Sequence, residues 1–215
     1  KELIDTLGAE TARRLFLRFG YADGYHDAVS LRDRSKWPTP LEGLRAGVVL
    51  HRLEGIVRAV ITKLEHDAAS GRFEEEMVWH NSYVAEHHVH HYGKSAEPVC
   101  WSLEGYTSGY VSACLGQEIY FRETACLAQG AATCAVVGKD AASWGDTLEA
   151  LRADYHSEDL GQQVERIRES VHQRLQELER RERLVAKRER ELNLLLERVA
   201  REAASKHFIA GSAAM

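Results

Sequence analysis

The sequence predicts an α+β fold, a mostly antiparallel sheet with packed helices followed by a long C-terminal helix. Three observations predict it. Segments with a helical period alternate with β-branched and aromatic runs in the order helix, strands, helix, strands. Turn residues separate the runs. A stretch without Gly or Pro, from Gln162 to His207, carries an apolar residue at every seventh place.

Within residues 1–30, Leu3, Ile4, Leu7, Ala12, Leu15, Phe16 and Phe19 follow a helical period. The pattern predicts two short helices or one broken helix, interrupted near Gly8 and ending around Gly20 or Gly24. Residues 31–47 hold Trp37, Pro38, Pro40, Gly43 and Gly47, which predict a loop and then a short helix over LEGLRAG. From Val48 the texture turns strand-like, through VVLHRLEGIVRAVITKLEHD and GRFEEEMVWHNSYVAEHH. In the second run Phe73, Met77 and Trp79 fall on one strand face. CWSLEGYTSGYVSACLG returns to helical spacing through Trp101, Leu103, Tyr106, Tyr110 and Ala113, and Gly116 closes it. Two more strand-like runs follow, QEIYFRETACLA and ATCAVVGKD, and Trp144 is expected to dock a short helix back on the domain.

The C-terminal run places Val164, Val171, Leu178, Val185, Leu192 and Val199 at heptad a. Its d positions are Ile167, Arg174, Arg181, Arg188, Leu195 and Glu202, so the seam is weak in its middle. This fits a marginal or regulated homodimer; a solvated single helix is the other reading. The tail HFIAGSAAM breaks the pattern and reads as the start of a further domain.

The 215 residues are 44% hydrophobic and 28% charged, with a formal net charge of −5. Residues 161–207 hold 12 Lys and Arg against 9 Asp and Glu, which leaves 16 against 24 for the rest. An acidic globular part argues against direct nucleic-acid contact. No apolar run is long enough for a membrane helix and no signal peptide opens the chain, so a reduced, cytoplasmic setting is expected. The first residue is Lys1 rather than Met, which suggests a fragment of a longer protein.

All four cysteines lie between Cys100 and Cys134. Cys100, Glu123, Cys126 and Cys134 are spaced Cys-x22-Glu-x2-Cys-x7-Cys, and three thiolates with a carboxylate suit a structural Zn2+. A helical turn or tight loop is expected to present Glu123 and Cys126 together. Such a centre carries net negative charge, and Arg122 or Lys139 is expected to supply donors. The rival reading makes the cysteines small buried hydrophobes. Spacing alone leaves both open. Cys114, mid-helix beside Ala113 and Leu115, is better explained by packing. His87, His88, His90 and His91 form a second metal candidate, but they lack Cys or carboxylate partners and are expected on a loop or edge strand.

His51 stands among apolar residues and Trp79 on a strand face, so imidazole and indole N–H could hold a hydroxyl in an apolar pocket. Tyr106, Tyr110 and Phe121 are the candidate aromatic walls. A packed core histidine is the alternative. No nucleophile elbow, phosphate loop or HExxH motif is present.

The segments EPVCWSLEGYTSGY and GQEIYFRETACLAQGAATCAVVGK resemble the sensory domain of bacterial aromatic-responsive transcription activators, the phenol, xylene and toluene regulators that work with sigma-54. The resemblance covers most of residues 1–145. It implies a 4-vinyl-reductase-type zinc domain, with ligands at Cys100, Glu123, Cys126 and Cys134. It also implies phenol-hydroxyl contacts at His51 and Trp79, and a pocket tyrosine at Tyr110. One departure stands out: Phe121 replaces a tyrosine, which would make the pocket more apolar and favour benzene, toluene or bulkier phenols. The implied organisation is a helical part (1–47), a zinc-containing aromatic-binding domain (48–145), a helical linker (146–207) and the start of an AAA+ ATPase domain (208–215). The expected function is a sensor, not an enzyme: a small aromatic effector relieves repression of the chain's own ATPase domain. The alternatives are a zinc-dependent enzyme acting on vinyl aromatics and a plain dimerisation module.

Overall fold

Gly8, at φ 82°, separates helix α1 (Glu2–Leu7) from α2 (Ala9–Ser35). The computed structural model describes residues 2–155 and 172–192, which belong to separate compact units. In the first unit α3 (Pro40–Leu53) follows, then β1 (Arg58–Asp67), β2 (Arg72–His80), α4 (Tyr83–Tyr92), α5 (Trp101–Leu115), β3 (Ile119–Ala125), β4 (Cys134–Asp140) and α6 (Leu148–Tyr155). Short 3-10 turns occupy Leu127–Gln129 and Ala141–Thr147. The four strands form one antiparallel sheet in the order β1-β2-β4-β3. The class is therefore the α+β arrangement that the sequence predicts.

Helix α2 runs straight through Gly20 and Gly24, against the expectation that it ends there. A Cβ on Gly20 would strike the carbonyl of Ser102, and one on Gly24 that of Tyr106. Reciprocally, Gly105 and Gly109 of α5 face the carbonyls of Leu17 and Tyr21. Each helix presents two glycines four residues apart, and the backbones approach to a distance that no side chain allows. Glycine costs helix propensity locally, but here close packing overrides it.

α5 is buried from Leu103 to Ala113, as expected for a helix enclosed on all sides. Its polar residues at Glu104, Ser108 and Ser112 form one stripe along β3, the outer strand. Glu104 Oε2 accepts the amide of Glu123 at 3.0 Å, Ser108 Oγ that of Phe121 at 2.9 Å, and Ser112 Oγ that of Ile119 at 2.9 Å. A four-residue helical repeat thus matches a two-residue strand repeat, and side chains complete the unpaired edge of the sheet. Gly116, in the left-handed conformation, closes α5 as predicted.

Two further expectations are corrected. Val48 to Leu53 continue α3 rather than opening a strand, so His51 sits in the last helical turn. The expected boundary between residues 47 and 48 falls inside this helix. The histidine-rich segment is α4, not a loop or edge strand, because Ser82 caps it by accepting the amide of Ala85 at 3.3 Å. Trp144 docks as expected, its indole N–H donating to the carbonyls of Tyr120 and Lys139, both at 3.2 Å. α6 belongs to this first unit, with Leu151 buried and Asp154 paired to Arg13 at 2.6 Å.

In the second unit residues 172–192 are helical. Leu178, Val185 and Leu192, the described a positions, are more than half exposed. Ion pairs Glu177–Arg181 and Glu179–Arg183 run along the helix at 3.0 and 3.1 Å. The remaining heptad positions, Val164, Ile167, Val171, Leu195, Val199 and Glu202, lie outside the described residues, as does the tail at 208–215. Among the described residues no helix is long and apolar enough to cross a membrane.

Candidate functional site

Four backbone elements bring the Cys and Glu residues together. Cys100 occupies the N-cap of α5, Glu123 lies near the end of β3, Cys126 precedes the 3-10 turn, and Cys134 opens β4. Glu123 and Cys126 are not joined by a helical turn; a bulge between Glu123 and Ala125 turns the strand end inward instead. All four residues are buried, and their ligand atoms lie within 4.8 Å of one another. The cysteines are free thiols, with sulfur separations of 3.7 Å for Cys100–Cys134 and 3.8 Å for Cys126–Cys134.

The donor set fits a metal ion. Glu123 Oε2 accepts the amide of Cys100 at 3.0 Å, while Oε1 is buried without a partner. Leu127 donates its amide to Cys134 Sγ at 3.3 Å, and Ser82 Oγ lies 3.2 Å from Cys100 Sγ. Cys126 is held towards the thiolate by its neighbouring thiols and by backbone amides. Burial beside that negative sulfur raises Glu123 to about 8. Such a cluster could hold a metal, whose charge would resolve this mutual repulsion. The donors come from backbone amides and Ser82 rather than from Arg122 or Lys139; Lys139 instead lies over the Trp144 ring, 5.6 Å from its centroid.

The strand register sets a second site beside the cluster, because Trp79 on β2 pairs directly with Cys134 on β4. Trp79, His51 of α3, and Tyr106 and Tyr110 of α5 all line one cavity of about 30 Å³. The rings of His51 and Tyr106 pack at a tilt of 50° with centroids 4.2 Å apart. Burial lowers His51 to about 4, so the imidazole is neutral at pH 7, and neither ring nitrogen has a hydrogen bond. Glu54 Oε2 approaches Nδ1 only to 3.5 Å, too far for a bond of ordinary strength. The tyrosine hydroxyls are engaged elsewhere: Tyr106 donates to Asp27 at 2.9 Å and Tyr110 to the Gly43 carbonyl at 3.0 Å.

Phe121 is not at this cavity. Its ring is fully buried over Gly138, its register partner on β4, and meets Phe73 edge-on at 6.4 Å. Its missing hydroxyl therefore does not make this cavity more apolar. Glu75, conversely, lines the cavity and is absent from the sequence-predicted site. It shares the inner face with Phe73, Met77 and Trp79, so the two-residue alternation of β2 is the signal that points to it.

The histidines of α4 form a surface cluster, with His87 and His91 rings 4.3 Å apart. Among the described residues only the Cys100 cluster brings three or more ligands together.

Comparison with known proteins agrees with this geometry. Residues 1–67 match the family described as activator of aromatic catabolism, and residues 79–140 match the 4-vinyl-reductase domain. The phenol regulator MopR of Acinetobacter guillouiae is 35% identical over 152 residues, 71% of this chain and 27% of that protein. The transcriptional regulatory protein XylR of Pseudomonas putida is 36% identical over 160 residues, 74% of this chain and 28% of that protein. The chain thus spans little more than a quarter of the length of these relatives. The crystal structure of the phenol-responsive sensory domain of the transcription activator PoxR, with phenol, superposes with a TM-score of 0.69. It is 35% identical, and the match covers 73% of this chain and 78% of that one. The chain belongs to the family of sensory domains of aromatic-responsive transcription activators.

Proposed function

We propose that the chain is the ligand-sensing part of a sigma-54-dependent activator and that a phenol or related mono-aromatic binds between α3, α5 and β2. The observation that carries this is His51: a buried, neutral imidazole with neither nitrogen hydrogen-bonded, facing a cavity walled by Trp79, Tyr106 and Tyr110. A ligand hydroxyl would complete it, with the indole N–H of Trp79 as a second donor.

A cavity of about 30 Å³ holds a water, whereas roughly 150 Å³ accommodates benzene. An aromatic ligand must therefore favour an arrangement in which α3 or α5 stands further from the sheet. That differential affinity is what a sensor needs to shift populations. α5 offers a route onward: the helix that carries Tyr106 and Tyr110 also places Ser108 Oγ 3.0 Å from the hydroxyl of Tyr155, at the end of α6. In this reading residues 1–145 sense the ligand, 146–207 form a linker that pairs two chains, and 208–215 begin the ATPase domain.

Cys100, Glu123, Cys126 and Cys134 would hold Zn2+. Four protein donors complete its usual tetrahedron, which supports a structural ion over a catalytic one. The metal supplies crosslinking, while Glu123 and the thiolates orient α5 and β3 as two walls around it.

Calorimetric titration of the 215-residue chain with phenol, toluene and benzene tests the reading. Saturable binding of at least one aromatic is expected, and His51→Ala should weaken phenol by about 10- to 100-fold with the fold intact. No binding of any of the three would overturn the sensor assignment.

A further inference from the structure

We propose that Glu75 is a second polar anchor of the cavity, and that it selects rings carrying two hydrogen-bonding substituents, hydroxyphenols and aminophenols, over phenol or toluene. This rests on the cavity being the aromatic site.

The run Glu74-Glu75-Glu76 places one carboxylate inside and two outside. Lys63 on β1 holds Glu74 at 2.9 Å and approaches Glu76 at 4.0 Å on the outer face. Glu75 points the other way and is 1% exposed. Its register partners, Leu64 and Gly138, offer no charged group, and Oε2 has no hydrogen bond. A buried carboxyl without a partner is costly and rare, so it calls for a reason.

The reason lies across the cavity. His51 and Glu75 line the same space, along with the apolar side chains of Leu44, Met77 and Val111. Both carry polar atoms without a hydrogen bond. A ring with one hydroxyl can satisfy only one of them and leaves the other buried. A ring with a second O–H or N–H satisfies both, because a carboxyl accepts from either group. Burial alone raises Glu75 to about 8, so at pH 7 it is largely a neutral acid. It can then also donate to the incoming substituent. Discrimination of this kind is steep, since a site built around buried polar groups rejects the ligand that leaves one unpaired.

The test is calorimetry at pH 7 with phenol, toluene, catechol, resorcinol, hydroquinone and 3-aminophenol, on the wild-type chain, Glu75→Met and Glu75→Gln. In the wild type at least one two-substituent ring should bind about tenfold more tightly than phenol. Glu75→Met, similar in length and apolar, should reverse that order and tighten toluene. Glu75→Gln retains an acceptor and should keep the preference. An unchanged ranking in Glu75→Met overturns the proposal. So does a wild type that binds phenol as tightly as every two-substituent ring, which decides the matter even if the variants do not fold. In both cases phenol binding that is lost in His51→Ala leaves the aromatic site itself standing. Failure of the wild type to bind any of the six rings sinks both.

Discussion

The metal cluster and the cavity are neighbours built from the same strands, joined where Trp79 pairs with Cys134, yet they treat buried polar groups in opposite ways. At the cluster, four side chains from four places in the chain converge within 4.8 Å, and amides and a hydroxyl support them. At the cavity, His51 and Glu75 face a gap with polar atoms that bond to nothing. Convergence on a point suits an ion, whereas separation across a gap suits a molecule. The first arrangement holds the fold together and the second can distinguish ligands. Changes at the cluster should therefore appear as lost stability, and changes at the cavity as altered recognition.

Removing one cluster ligand gives the largest effect. A structural zinc contributes on the order of 10 kcal/mol or more, comparable to the whole stability of a domain. Cys126→Ala should therefore lose bound metal and cooperative unfolding, as followed by elemental analysis and circular dichroism. A strong chelator should do the same to the wild type. A metal-free Cys126→Ala protein that melts normally and binds phenol would erase the distinction between the two regions.

The cavity should reveal itself through pH, with a smaller effect. His51 is lowered to about 4 in the fold, and Glu75 is raised to about 8. A lowered histidine binds fewer protons when folded, so its contribution is present above about 6.5 and is lost as pH falls towards 4. A raised carboxyl binds more protons when folded, so its contribution is present below about 4.5 and is lost as pH rises through 8. Between about 4.5 and 6.5 the two oppose each other; from 6.5 to 8 Glu75 acts without His51. Glu104, raised to about 7 by burial, adds in the same direction as Glu75. Stability should fall as pH rises from 6.5 to 8, by an amount on the order of a few kcal/mol, read from chemical melts at each pH. Glu75→Met should flatten that slope. An identical slope in the variant would show that Glu75 does not titrate in the fold.

The two regions also differ in how legible they are in the sequence. Cys100, Glu123, Cys126 and Cys134 stand out because soft donors are scarce and all four fall in the single stretch from Cys100 to Cys134. Glu75 is hidden because it sits between two solvent-facing glutamates, and only the alternation of β2 separates it from them. The chemistry of His51 and Trp79 singles them out, but the helix under His51 is not legible, since β-branched Val48 and Val49 read locally as strand. Gly20 and Gly24 mislead for a related reason. Local propensity stops a helix at glycine, while α5, far along the chain, needs glycine there to come close. Strand order and the stripe at Glu104, Ser108 and Ser112 are tertiary facts, because each depends on which segment lies beside which.

Phe121→Tyr gives the smallest effect and marks the border of the cavity. The ring lies over Gly138 and against Phe73, with no exposed edge. A hydroxyl added there is buried without a ready partner, which should cost about 1–3 kcal/mol. It does not reach the space between His51 and Glu75, so phenol and toluene should keep their relative affinities. A chemical melt and a two-ligand titration together test this. Lower stability with an unchanged ratio places Phe121 with the core, on the cluster's side of the comparison. Phenol gaining on toluene by about tenfold would instead mean that the expanded, ligand-bound cavity extends past Met77 to β3. The boundary between the two regions would then lie one strand further across the sheet.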